Sequence, residues 1–197
     1  MSKSLDIGAY YGALVREHGG TPAGGHWVRE EEAAGQYTFW ARTIGAYSEE
    51  FRCYTSVLDF GCGTGVGGSC YREDVGHKRW TGCDLCREAL DYTPYPAFLG
   101  DHTALRPASV DWVLAMGCFN IGYRRFYDIV RICNSLWGIC RVGMAVSFAR
   151  SDFGDREITG HPLHKWLQWA ERHAQRYVLR ADWSAYSSLL VLWKGKV

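Results

Sequence analysis

The period of hydrophobic and polar positions changes near residue 55. Before it, helical spacing predicts a helix around 5–17, a glycine-rich turn at His18 to Gly25 (HGGTPAGG), and a second helix from about 29 to 46. After it come short apolar runs at 55–59, 78–84 (KRWTGCD), 96–101 (PAFLGD) and 110–116 (VDWVLAM), which read as four strands. Stretches 66–73, 86–92 and 122–136 carry helical patterns, and alternation of strand with helix favours a parallel sheet with right-handed crossovers. Ligands of such sheets bind beyond the carboxyl ends of the strands. Past CRVGMAVSF at 140–148 follow a polar loop, a helix around 161–175, and two strands, RYVLRAD and YSSLLVLWK, joined tightly enough for an antiparallel pair.

At 197 residues the chain fits one ordinary domain, read as a helical lid over 1–50 and a core over 51–197. With 22 basic against 21 acidic residues, scattered rather than clustered, it carries no field that would draw nucleic acid or an anionic membrane. The amino terminus lacks the apolar stretch of a secretory signal, and no window approaches the roughly 18 apolar residues of a membrane span, so a cytoplasmic protein is expected. The eight cysteines follow no framework spacing and read as reduced thiols. Cys83 and Cys86 form a CxxC, but no second ligand pair completes a zinc site, and no metal is expected. Small-molecule partners are expected, with the chain a monomer or homodimer.

The strongest chemical signal is VLDFGCGTG at 57–65, an apolar strand that ends in Asp59 and turns at once through Gly61, Cys62, Gly63 and Gly65. Glycines serve where the backbone turns sharply and a ligand approaches closely. Gly63, Gly65 and Gly68 satisfy a bare GxGxxG, which could cradle a pyrophosphate; in the register that follows the strand directly, however, Asp59 stands beside the turn and would repel one. A carboxylate there suits a cation, and S-adenosylmethionine carries both a sulfonium and an ammonium. Asp84, ending the second strand, can accept both ribose hydroxyls, and Asp101, ending the third, can accept the adenine amino group while Leu85 and His102 flank the ring. Each acid alone could equally be a helix cap or a solvated turn.

The fourth strand runs into Gly117-Cys118-Phe119-Asn120, where Gly117 faces the ligand and the Asn120 amide can orient an acceptor, or simply cap a helix before Tyr123. HGGTPAGGHW reads as part of a lid with Tyr10, Tyr11, His18, His26 and Trp27 available. Aromatic faces attract a sulfonium, so Tyr10 and Trp27 are assigned to the cofactor and Tyr11 to catalysis, although aromatics on one helix face are usually core. Ser184, within Trp183–Tyr186 at the join of the last strands, is the third catalytic candidate beside Asn120 and Tyr11. His161 and His164 share a helix start with Trp166 and read as structural.

VLDFGCGTG, GCDLCREAL, FLGDHTAL and DWVLAMGCFN together resemble successive motifs of class I S-adenosylmethionine-dependent methyltransferases over residues 55–120. The resemblance implies an α/β, Rossmann-like fold: a seven-stranded sheet ordered 3-2-1-4-5-7-6, strand seven antiparallel, with helices on both faces and an N-terminal helical lid. It also implies that Asp84 holds ribose and Asp101 adenine. The fourth strand lacks the Asn/Asp-Pro-Pro-Tyr/Phe signature of enzymes that methylate base or Gln amino groups, which points away from nucleic acid. The expected activity is methyl transfer to a small molecule. The alternatives are a cyclase resembling azetidine-2-carboxylate synthases, releasing methylthioadenosine, a non-catalytic S-adenosylmethionine-binding partner, and, at the margin, a dehydrogenase.

Overall fold

Seven apolar runs form the strands of one sheet: β1 (Ser56–Phe60), β2 (Arg79–Asp84), β3 (Ala97–Leu99), β4 (Val110–Met116), β5 (Cys140–Ala149), β6 (Arg176–Arg180) and β7 (Ser187–Trp193). The helices are α1 (Ile7–His18), the single turn α2 (Arg87–Leu90), α3 (Phe126–Ile139) and α4 (Leu163–His173), with 3-10 turns at Pro22–Gly25 and His102–Ala104. The structure is a computed structural model that describes residues 6–26, 35–36, 38–40, 42–43, 56–66, 79–122, 125–150, 158–182, 184 and 186–195.

The strand order is β3-β2-β1-β4-β5-β7-β6. β1 pairs parallel with β2 and β2 with β3, β4 pairs parallel with β5, and β7 runs antiparallel to both β5 and β6. This is the order the motif resemblance implies. The chain clusters into two compact units, Met1–Asp101 and His102–Val197. The expected lid-to-core boundary at 50/51 lies outside the described residues.

In the first unit β1 buries Val57, Leu58, Asp59 and Phe60, a run in which the one charged residue sits among apolar neighbours. In the second, β4 is buried from Trp112 to Met116, the uninterrupted apolar pattern of a parallel strand covered on both faces. α3 buries Ile129, Cys133, Leu136 and Ile139, whose three- and four-residue spacings make one face. Trp166 stacks on Phe148, ring centroids 4.2 Å apart, which seats α4.

Tight packing fixes one glycine of β5. A Cβ on Gly143 would lie 2.4 Å from the Leu192 carbonyl oxygen and 2.7 Å from the Trp112 ring. Trp112 meets Trp193 edge-on at 5.9 Å, so neither partner can retreat without losing its own contacts. Gly143→Ala is expected to destabilise the protein by about 1–3 kcal/mol, read as a lower urea midpoint at unchanged slope.

Elements depart from the sequence expectation where local chemistry intervenes. The helix expected from 122 starts at Phe126, because Gly122 takes φ +82, outside the right-handed helical region. The third strand spans Ala97–Leu99 rather than 96–101, since Pro96 has no N–H to extend the ladder and the chain enters the 3-10 turn at His102. Most of the helix expected over 29–46 and nearly all of that over 66–73 lie outside the described residues; residues 35–36, 38–40 and 42–43 are helical. Among the described residues no helix is long and apolar enough to cross a membrane.

Candidate functional site

The glycine turn after β1 is built from positive backbone angles, with Gly61 at φ +72, Gly63 at +53 and Gly65 at +76. These angles fold the chain back so that its amides serve the protein itself. The N–H groups of Gly61 and Cys62 both donate to the Cys83 carbonyl, at 2.7 and 3.2 Å, and that of Gly65 donates to the Cys62 carbonyl at 3.0 Å. The Gly63 N–H donates to Oδ2 of Asp84 at 2.7 Å. Four amides that a phosphate cradle would need are therefore committed to protein acceptors. A Cβ on Gly63 would meet nothing within 4 Å, so open space lies over the turn at that residue.

Carboxylates surround this turn. Asp59 is 0% exposed; its Oδ2 accepts the Tyr95 hydroxyl at 2.7 Å, while its Oδ1 is buried with no partner among the described residues. Burial pushes the Asp59 carboxyl up to about 7, the Tyr95 hydrogen bond works against that shift, and the nearby Asp84 charge adds to it. Asp84 accepts from Gly63 through Oδ2 and from the Cys86 N–H, 2.8 Å away, through Oδ1. Burial raises its pKa, opposed by the backbone donors of Cys86, Gly63 and Leu85. A carboxylate offers about four lone-pair sites, so these donors do not exhaust its capacity for a hydroxyl donor. Asp101 is half-buried two residues beyond β3, and its charge, after burial and Asp84, helps push the Cys83 thiol up to about 12.

Burial holds the thiols beside the turn protonated. Cys83 donates to the Gly100 carbonyl at 3.0 Å, burial raises Cys62 and Cys86, and both members of the CxxC are free. Among the described residues no group of His, Cys, Asp or Glu side chains could hold a metal ion.

The sequence TPY at 93–95, which pattern reading passed over, braces the turn from behind. The Thr93 hydroxyl donates to the Gly63 carbonyl at 3.0 Å, Pro94 Cδ lies 2.5 Å from where a Gly65 Cβ would stand, and Tyr95 holds Asp59. Leu99 was missed too. It pairs in register with Asp84, and at 46% exposure it matches Leu85, so two open apolar side chains mark the ends of β2 and β3. An apolar residue directly after a strand-ending acid was the available signal for Leu85; Leu99 lies two residues before Asp101 and gives no such signal.

α1 rests on the loop that carries Asp84. A Cβ on Gly8 would lie 2.8 Å from the Leu85 carbonyl oxygen, one on Gly20 would lie 2.6 Å from the Tyr92 ring, and Arg16 pairs with Glu88. Tyr11 packs against Val15, Cys86 and Ala89, so its ring is part of that helix seat. Tyr10 meets Tyr11 edge-on at 5.3 Å and shares a 3.1 Å hydrogen bond with Nδ1 of His26. Trp27 lies outside the described residues.

In the second unit, His102 opens its 3-10 turn, half-buried. Gly117 takes φ +74 and donates its N–H to the buried Ser147 hydroxyl at 2.8 Å. The Asn120 amide oxygen accepts the Ala149 N–H at 2.8 Å, and its backbone carbonyl accepts from Thr159 at 2.7 Å. Asn120 thus ties the loop after β4 to the end of β5, and the cap of α3 is Arg125 instead. Ser184 accepts the N–H groups of Tyr186 and Ser187, at 3.1 and 3.3 Å, and organises the entry to β7. Trp183 and Tyr123 lie outside the described residues.

No protein-family model matches the chain, and no curated protein matches it. Solved structures do. The magnesium protoporphyrin IX methyltransferase of Synechocystis with bound SAM is similar at 13% identity and TM-score 0.66, over 99% of this chain and 100% of that one. A SAM-dependent methyltransferase from Leishmania major is similar at 12% identity and TM-score 0.72, over 94% and 82% of the two chains. A SAM-dependent methyltransferase from Aquifex aeolicus is similar at 12% identity and TM-score 0.59, over 78% and 88%. At these identities the likeness is one of fold: the chain has the seven-stranded, Rossmann-like architecture of class I S-adenosylmethionine-dependent methyltransferases.

Proposed function

We propose that this protein is an S-adenosylmethionine-dependent methyltransferase whose acceptor is a small molecule, working in the cytoplasm as a monomer or homodimer. The observation that carries this reading is the glycine turn whose amides are already spent on protein acceptors while a buried carboxylate oxygen beside it lacks a partner among the described residues. Such a turn rejects a pyrophosphate, which needs free N–H donors, and suits a cation bearing hydroxyls. The residues fit S-adenosylmethionine on that ground, and proteins that use it share the fold.

In this reading Asp59 holds the cationic amino-acid portion, with Gly61, Cys62, Gly63 and Gly65 giving a close backbone approach. Asp84 accepts the ribose hydroxyls with its remaining lone pairs, and Asp101 accepts the adenine amine, with Leu85, Leu99 and His102 as apolar or planar flanks. Tyr10, Trp27 and Gly117 complete the assignment to the cofactor. Bound S-adenosylmethionine supplies an electrophilic methyl group on its sulfonium. Tyr11, Asn120 and Ser184 are assigned to the acceptor, to align it and exclude water rather than to carry charge.

A net charge of +1 with scattered basic residues supports a small acceptor over a polynucleotide. No observation favours intramolecular cyclisation. Mass spectrometry of products tests the reading: S-adenosylhomocysteine is expected when the protein is incubated with S-adenosylmethionine and a pool of small metabolites, and none with S-adenosylmethionine alone. Methylthioadenosine formed without acceptor would replace transfer with cyclisation, and binding without either product would leave a non-catalytic binder.

A further inference from the structure

The pairing of Asp59 with Gly82 across β1 and β2 opens a gap in the second strand at the level of the buried carboxyl. Three side chains converge on that gap. A Cβ on Gly82 would stand 2.7 Å from Cys62 Sγ, 2.9 Å from Ala97 Cβ and 3.1 Å from Cε2 of Tyr95, so glycine there leaves room for the Tyr95 ring to lie beside β2. Tyr95 comes from the Pro94-Tyr95-Pro96 segment just before β3, is 7% exposed, and packs on Trp80 with ring centroids 6.1 Å apart. Its hydroxyl reaches Oδ2 of Asp59 at 2.7 Å, leaving Oδ1 buried and unpartnered among the described residues.

We propose that Tyr95 is a positioning residue for the ligand's cation: its hydroxyl fixes Oδ2 of Asp59, favours the ionised carboxylate, and leaves Oδ1 as the acceptor that the cationic amino-acid portion satisfies. The proposal rests on the S-adenosylmethionine reading and assigns that site a control the reading lacks. A phenol that donates to one carboxylate oxygen stabilises the charged form and fixes the carboxyl plane. Among the described residues, the charged and titratable groups acting on Asp59 are Tyr95 and Asp84. Cys62 and Cys83 beside them stay protonated.

The sign of the pH dependence follows from burial. In the ligand-free protein the Asp59 carboxyl titrates at about 7, and a bound cation favours its ionised form. Affinity is therefore expected to be full above that value and to fall as pH drops through it. Removing the Tyr95 hydroxyl moves the midpoint upward, by about one pH unit for a lost charge-assisted hydrogen bond.

The test is S-adenosylmethionine affinity against pH, by titration calorimetry, for the wild type, Tyr95→Phe and Asp59→Asn, beside a 13C NMR titration of the Asp59 carboxyl in the ligand-free proteins. Tyr95→Phe is expected to shift the affinity midpoint and the carboxyl titration upward together, giving about fivefold weaker binding at neutral pH and recovery in alkali. Asp59→Asn is expected to flatten the profile. Should Tyr95→Phe fail to fold, replacing Tyr95 with 3-fluorotyrosine, a stronger donor, is expected to shift both downward. A loss of affinity equal at every pH, or an unmoved Asp59 titration, would overturn the proposal. If the wild type binds no S-adenosylmethionine at any pH, the functional reading fails, while the carboxyl titration still decides whether Tyr95 controls Asp59.

Discussion

Asp84→Ala is expected to weaken S-adenosylmethionine binding by about 1–3 kcal/mol, roughly 5–150-fold in dissociation constant. Asp84 holds the glycine turn and its own loop in one piece, taking the Gly63 N–H with one oxygen and the Cys86 N–H with the other. The substitution removes the lone pairs assigned to the ribose and also the acceptor that aims Gly63. Both losses act in the same direction. Asn is no substitute here, because both carboxylate oxygens accept from backbone donors and an amide nitrogen would face one of them. Titration calorimetry checks the result, with a thermal melt of the ligand-free variant to separate binding from folding; an unchanged affinity would remove Asp84 from the ribose.

Two glycines of the turn, two residues apart, give the second large effect. Gly63→Ala and Gly65→Ala place a methyl on residues that both take positive φ, +53 and +76, so each carries the conformational cost of about 1–2 kcal/mol. Their surroundings differ. At Gly65 the new Cβ meets Pro94 Cδ at 2.5 Å and the Thr93 backbone at 3.1 Å, a rigid pair that cannot give way, and a total loss of about 2–4 kcal/mol of stability is expected. At Gly63 it meets nothing within 4 Å. There the expected outcome is a modest loss of stability with a large loss of ligand affinity, because the methyl enters the open space over the turn. Urea unfolding and calorimetry on both variants check the contrast, and equal losses of stability would show that the space at Gly63 is not open.

The strands were legible because each announces itself locally, whereas their order came only with the motif resemblance. β1, β2 and β4 are apolar runs punctuated by glycine or an acid, and the period alone locates them within about two residues. The acids at 59 and 84 stood out as positions for the same reason, since each falls at the end of an apolar run, although each alone could equally be a cap or a turn. Tyr95 did not, because its role depends on a gap made by Gly82 in a neighbouring strand, a relation set by register rather than by sequence spacing. Nor did Thr93, whose hydroxyl reaches the Gly63 carbonyl from a distant part of the chain. Gly82 did carry a signal, as a glycine inside a strand that marks close approach of another group. Asn120 and Ser184 stood out as polar residues in suggestive places, and their oxygens prove to be engaged with backbone N–H groups, bonds that only the tertiary structure could reveal.

Titration calorimetry of the wild-type protein with S-adenosylmethionine, repeated in the presence of S-adenosylhomocysteine and of NAD, tests the assignment of the glycine turn most directly. The expected result is saturable binding at one site that S-adenosylhomocysteine competes away and NAD leaves untouched, since the spent amides and the buried Asp59 carboxyl disfavour a pyrophosphate. Absence of binding, or competition by NAD, would contradict it.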